Sequence, residues 1–250
     1  MSQNGRGEDL KDISTCWGDL QQAHSGAIDN VRAAQERIVT RYGPAIHRYL
    51  RAIVHNPDEA EELFQTFALR FVRGDFHRAD PGRGRFRDYL KSALVRLVYD
   101  RQRQLSRQPS PLPDDHPDPA EASPSTNLDD EFLRIWREEL LNRAWTNMAD
   151  LDRHRGQPLY EVLQYRANYP DLRSADIAEH FTARLGRPLG PEWARKRLHE
   201  ARTLFVNLLL EEVAQTVESS AVEAIEEELI DLDLLKYCRP ALDRRRTGQG

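Results

Sequence analysis

Ser92, Arg96, Tyr99 and Arg103 stand at i, i+4, i+7 and i+11, the spacing that places side chains on one stripe of an α-helix. Guanidinium groups grip phosphate oxygens, and both arginine planes and aromatic rings offer surfaces on which unstacked bases can rest. The chemistry open to such a stripe is non-covalent capture of a nucleic-acid strand; a solvated charged face is the plainer alternative. Upstream, Asp58, Glu62, Gln65 and Leu69 repeat the same spacing with the opposite character, acid, amide and leucine, beside a further acid at Glu61. That mixture suits a protein partner with a basic surface.

The charge is segregated. Between Arg70 and Arg107 eleven Lys or Arg face four Asp, a local balance of +7 in a chain whose formal net charge is −5. Positive charge gathered into one segment of an otherwise acidic protein makes a local polyanion site while limiting indiscriminate adhesion elsewhere.

Covalent chemistry has little support. The eight histidines include no pair three to five residues apart, and no HExxH, GxSxG or glycine-rich phosphate loop occurs. Cys16 and Cys238 lie near opposite ends of the chain, without the close pairing of a zinc or redox site. Neither an enzyme nor a metal or other cofactor is expected. No stretch approaches the roughly 20 apolar residues needed to span a bilayer, and MSQNGRGEDL lacks the apolar core of a signal peptide. No membrane partner is expected, and a cytoplasmic location is.

The elements that position these stripes follow from periodicity. Opposite the Arg96 stripe, Phe86, Tyr89, Leu90, Ala93, Leu94, Leu97 and Val98 advance in threes and fours, which predicts a helix with one core face. Pro57 followed by acids predicts the start of another, with Ala60, Leu63, Phe64, Phe67 and Phe71 inward. Helical spacing recurs through most of the chain and no run reads as a strand. The expected class is all-α, with two helical domains over 10–104 and 131–217 and a further piece over 218–250, acidic in VEAIEEELIDLDLL and basic in RRRTGQG. Between Leu105 and Asp130, six prolines alternate with acids, and the segment is expected to be a flexible or semi-extended linker.

In the second domain DDEFLRIWREELLNRAWTNM supplies Phe132, Ile135, Trp136, Leu140 and Trp145 as an apolar side. PLYEVLQYRAN, SADIAEHFTARLG and GPEWARKRLHEARTLFVNLLLEEV follow as helices. Ser174 is the expected N-cap of one, and Gly190 with Pro191 opens the last. There Ala194, Leu198, Ala201 and Phe205 form a core face, leaving Glu192, Arg195, Lys196 and His199 outside.

DEAEELFQ, the FRxYL that opens the basic helix, and Asp100 with Arg103 at its end closely resemble region two of the extracytoplasmic-function sigma factors of bacterial RNA polymerase. STCWGDLQQA and ADPGRGRFR are similar to a subgroup with an N-terminal Trp and a DPxRGRFR motif. The resemblance implies that Asp58, Glu61, Glu62, Gln65 and Leu69 dock on the β′ clamp helices of core polymerase. It implies that Arg85, Arg87, Ser92, Arg96, Tyr99 and Arg103 hold the melted non-template strand of the minus-ten promoter element. Arg96 and Tyr89 depart from the Asn and Trp frequent in the family, so the preferred promoter could differ.

DIAEHF with ARKRLHEAR resembles the region-four helix-turn-helix, which implies that Glu192, Arg195, Lys196 and His199 meet the duplex minus-thirty-five element and that this domain touches the β flap. Here Ile177 and Ala194 lie seventeen positions apart, farther than is usual in the family. Whether an anti-sigma factor, a kinase or the acidic tail restrains activity is left open by the sequence. The competing expectation is a helix-turn-helix regulator that binds duplex operator DNA without polymerase.

Overall fold

The computed structural model describes residues 18–19, 23, 28–75, 85–106, 125–217 and 221–248. Among these the chain forms nine helices of ten residues or more and no strand: α1 (Ile28–Val54), α2 (Pro57–Arg73), α3 (Phe86–Ser106), α4 (Ser125–Arg155), α5 (Leu159–Asn168), α6 (Ser174–Leu185), α7 (Pro191–Ala214), α8 (Val222–Asp231) and α9 (Leu235–Arg246). The all-α expectation holds. Cys16, Arg83 and most of the proline-rich segment lie outside the described residues.

The helices gather into two compact units, one reaching to Glu139 and the other formed by Leu140–Ala214 with the helices beyond Ala221. In the first unit α1 packs along α2, and both meet α3. Helix α2 begins where the chain supplies a cap: the Asn56 side-chain oxygen accepts the N–H groups of Asp58 (2.9 Å) and Glu59 (3.2 Å), while Pro57 occupies the position that needs no donor. It ends at Gly74, whose φ of 88° lies in the left-handed region. There the N–H groups of Gly74 and Asp75 return to the carbonyls of Phe71 and Arg70, both at 3.1 Å, which satisfies the last turn. Ala60, Leu63, Phe67 and Phe71 are buried, each phenylalanine contributing about 2–3 kcal/mol. Phe64 is only half-buried, edge-on to His47 with centroids 5.8 Å apart.

The centre of this unit is aromatic. Tyr42 of α1 stacks on Trp136 of α4 (5.1 Å between centroids, 7° between planes) and lies 5.2 Å from Phe86 of α3; Phe132 meets Tyr49 edge-on at 4.8 Å. Arg48 Nη2 donates to Glu139 Oε2 at 2.8 Å, beside this stack. These contacts involve residues expected at the start of the second domain. Phe132, Ile135 and Trp136 close the core of the first unit instead of founding the second, and the helix they belong to already starts at Ser125. Periodicity marks these residues as inward-facing but carries no information about which bundle receives them.

In the second unit Val162, Ile177, Ala178, Phe181, Ala194 and Leu198 form one core cluster, with Tyr165, Leu172, Leu189 and Trp193 packed around it. Helix α6 differs from the expected start. Arg173, not Ser174, is the capping position, because the Asp176 carboxylate accepts the Arg173 N–H at 2.7 Å. Gly186 (φ 64°) ends α6, and the Leu189 N–H bonds the Thr182 hydroxyl at 2.9 Å, fixing the turn into α7. Gly190 accepts from Trp193 and Ala194 at the α7 start, as expected. The long Ile177–Ala194 spacing is thus taken up by three turns of α6 and a glycine-bounded connection.

The segment beyond Ala221 also differs from a separate piece: Ile225, Leu229, Cys238, Ala241 and Leu242 are buried, and α8 and α9 pack on each other and on α7. Burial raises the Cys238 thiol pKa to about 11, which keeps it protonated and inert at neutral pH. Glu212, 2 % exposed, accepts from Arg143 Nε and Asn147 Nδ2, both at 2.8 Å.

Replacing Trp136 by Ala should destabilise the protein by about 3–5 kcal/mol. Arg143→Met, which removes the cation paired with the buried Glu212 carboxylate, should cost about 3 kcal/mol. Urea denaturation followed by far-UV circular dichroism checks both.

Candidate nucleic-acid and partner interface

The core face of α3 is Phe86, Leu90, Leu94, Leu97 and Val98, and the rotation that buries them turns Ser92, Arg96, Tyr99 and Arg103 to the surface, where all four are exposed. Tyr99 is 50 % exposed. Ser92 Oγ donates to the Asp88 carbonyl at 2.8 Å, so this hydroxyl is held against the helix. Beside the stripe the Tyr89 phenol has a raised pKa, from burial first, with the Arg96 guanidinium acting the other way.

Two other cations assigned to the same strand contact are placed differently. Arg85 precedes α3 and its carbonyl accepts the N–H groups of Asp88 and Tyr89, both at 3.1 Å, so its backbone caps the helix while its side chain is half-buried. Arg87 is only 3 % exposed. Three and seven residues before Leu90 and Leu94, it falls on the inward face, where periodicity overrides its charge.

On α2 every member of the acidic stripe, Asp58, Glu61, Glu62, Gln65 and Leu69, is exposed. Leu69 and Val72 are each 57 % exposed, so the ridge passes from acidic at the helix start to apolar at its end. Val72, three residues past Leu69, was not among the sequence-derived candidates although the same spacing reaches it. The two ridges are neither buried against each other nor independent. Arg101 Nη2 of α3 donates to Glu62 Oε2 of α2 at 2.6 Å, and Arg70 of α2 reaches Asp100 of α3 at 3.3 Å. Both pairs are solvent-exposed, each worth under about 1 kcal/mol; they fix the register of the two faces more than they stabilise the fold.

In the second unit Ala194, Leu198 and Ala201 of α7 are buried and Phe205 is half-buried against Trp145, 4.6 Å between centroids. Glu192, Arg195, Lys196 and His199 are all exposed near the start of the helix. Glu192 and Arg195 form an ion pair one turn apart, while Lys196 has no ion-pair partner among the described residues. The set can present cations and hydrogen-bond donors outward from a helix N-terminal half, the geometry of groove-reading helices.

No cluster of metal-ligating side chains occurs among the described residues, and no helix there is long and apolar enough to cross a membrane. What the exposed groups can do is bind, by charge, hydrogen bonding and stacking.

Residues 38–108 match the family model of sigma-70 region 2. The matched segment contains α2, α3 and most of α1, and with them both ridges. The match is to that region alone and covers less than a third of the chain. No curated protein and no solved structure matches the chain.

Placing a carboxylate at the enclosed position, Arg87→Glu, should destabilise the protein by more than about 3 kcal/mol. Arg96→Glu on the exposed stripe should change stability by less than about 0.5 kcal/mol. The difference between their urea midpoints measures it.

Proposed function

We propose that the chain is a sigma factor of the extracytoplasmic-function type. The α2 ridge of Asp58, Glu61, Glu62, Gln65 and Leu69 docks on the basic clamp helices of the polymerase β′ subunit. The α3 stripe of Ser92, Arg96, Tyr99 and Arg103, with Arg85 at its start, holds the unpaired non-template strand of the minus-ten element. Helix α7 presents Glu192, Arg195, Lys196 and His199 to the duplex minus-thirty-five element, and its unit touches the β flap. An anti-sigma factor or a kinase would restrain the protein, which works in the cytoplasm and needs no cofactor.

One observation carries this reading: two exposed ridges of opposite character lie on adjacent helices inside the segment matched to region 2. A protein that binds only duplex operator DNA has no use for the acidic ridge. A protein that binds only polymerase has no use for the basic, aromatic one. The mechanism needs no bond making. Strand opening is driven by giving melted bases an alternative to stacking on one another, with each base–aromatic contact worth about 1–3 kcal/mol, while phosphate contacts hold the strand in register.

Charge reversal at Asp58 and Glu62 should abolish co-purification with core polymerase, and retained binding would count against the clamp assignment. The double change Arg96→Glu with Arg103→Glu should leave polymerase binding intact but eliminate open complexes in a run-off transcription assay using core enzyme and genomic fragments. The operator-binding alternative expects the reverse pattern: specific duplex binding without polymerase, and no transcriptional effect of either ridge.

A further inference from the structure

The basic stretch that closes α9 takes no part in either ridge. Between Arg239 and Thr247 four arginines face one aspartate, and three of them, Arg244, Arg245 and Arg246, directly precede a threonine. Thr247 is exposed and stands just past the last residue of the helix, with φ −85°. Its hydroxyl is shared between the carbonyls of Arg244 at 3.0 Å and Asp243 at 3.2 Å, which occupies the proton and leaves the lone pairs uncommitted. Only two backbone bonds tie this end down, from the N–H of Thr247 to Asp243 (3.1 Å) and from that of Gly248 to Arg245 (3.2 Å). Such a helix end opens at little cost.

The three arginines are placed differently. Arg245 turns inward, donating to the Asn207 carbonyl at 3.4 Å and lying 3.9 Å from Glu211. Arg246 donates to Glu226 Oε2 of α8 at 2.7 Å, and Arg239 approaches the same carboxylate at 3.6 Å. Arg244 is exposed and has no ion-pair partner among the described residues. An unengaged guanidinium three positions before an accessible hydroxyl is a handle for an enzyme with an acidic cleft. Thr40 and Ser106 also follow an arginine by three positions, Arg37 and Arg103. Thr40 lies inside α1 and Arg37 is engaged by Asp19 at 2.8 Å, while Ser106 has no second cation beside it.

We propose that Thr247 is a phosphorylation site for an arginine-directed serine/threonine protein kinase, and that its phosphate draws Arg246 away from Glu226. Thr247 Oγ1 attacks the γ-phosphorus of ATP, the bond from that phosphorus to the bridging oxygen breaks, ADP leaves, and the hydroxyl proton passes to the kinase. The new group carries about −1.5 to −2 charges and three acceptor oxygens, more than a carboxylate offers a guanidinium. At a helix C-terminus the macrodipole opposes it, so Arg244 and Arg246, the two cations free to move, must turn to it. Buried Cys238, Ala241 and Leu242 keep the body of α9 in place, and the change is confined to the last turn and its link to α8. The site rests on neither ridge, so its failure would leave the promoter reading untouched.

The test incubates the full chain with ATP and an arginine-directed probe enzyme, the catalytic subunit of cyclic-AMP-dependent protein kinase, and locates phosphate by mass spectrometry. The wild-type chain should take one phosphate at Thr247, Thr247→Ala none there, and Arg244→Gln should be modified at least tenfold more slowly. No phosphate, or phosphate at Thr40 or Ser106 with Thr247 unmodified, overturns the site. Hydrogen exchange then reads the partner change. Phosphorylation should speed exchange of the last-turn amides of α9 at least tenfold with helicity unchanged. In Glu226→Gln, which lacks the ion pair beforehand, it should speed them less than twofold. Wild-type exchange that phosphorylation leaves unchanged overturns the transfer of Arg246.

Discussion

The stacking of Tyr42 on Trp136, with Phe86 and Phe132 at its edges, is the contact on which the first unit turns. It draws three helices distant in sequence onto one centre, and by occupying their inner faces it dictates which residues are left outside. Edge-to-face and offset-stacked rings contribute beyond the area they bury, and so many interlocking rings tolerate little rotation of a helix about its axis. Rotation is what would matter for function. A turn of α3 by one residue position, about 100°, would carry Arg96 and Tyr99 off the surface and bring Leu97 out.

The outer faces thus inherit their roles from the core. On α2 four inward apolar residues leave an acidic and then leucine-valine ridge; on α3 five leave a cationic and aromatic one. The cross-pairs Glu62–Arg101 and Arg70–Asp100 join the two surfaces without neutralising them, since Arg96 and Arg103 remain outside these pairs. Opposite charges on adjacent helices attract, which helps hold the faces side by side. Each still presents its own character at the surface.

The second unit obeys the same logic with a different result. Its core cluster fixes α6 against α7, and the helices beyond Ala221 cover the leucine-rich second half of α7, so only the first half of that helix is free to meet a ligand. An acidic segment that reads as an appendage is bound instead by apolar burial and by Arg245, which donates to the Asn207 carbonyl at 3.4 Å.

Much of this was legible in the sequence because it depends on local periodicity alone: the all-α class, the inward faces of α2 and α3, and the exposure of the Asp58, Ser92 and Glu192 stripes all follow from spacing along a single helix. Other features were settled only by tertiary structure, because they depend on which helices meet. The resemblance implied a strand contact for Arg87, but packing in the first unit leaves it only 3 % exposed. Phe132 and Trp136 were recognisably apolar, yet their partners Tyr49 and Tyr42 lie more than eighty residues away, and no pattern within a helix encodes a contact between helices. For the same reason the arginines before Thr247 are legible as charge but not as partners: Arg245 meets Asn207 and Arg246 meets Glu226 only after α9 packs back on α7 and α8.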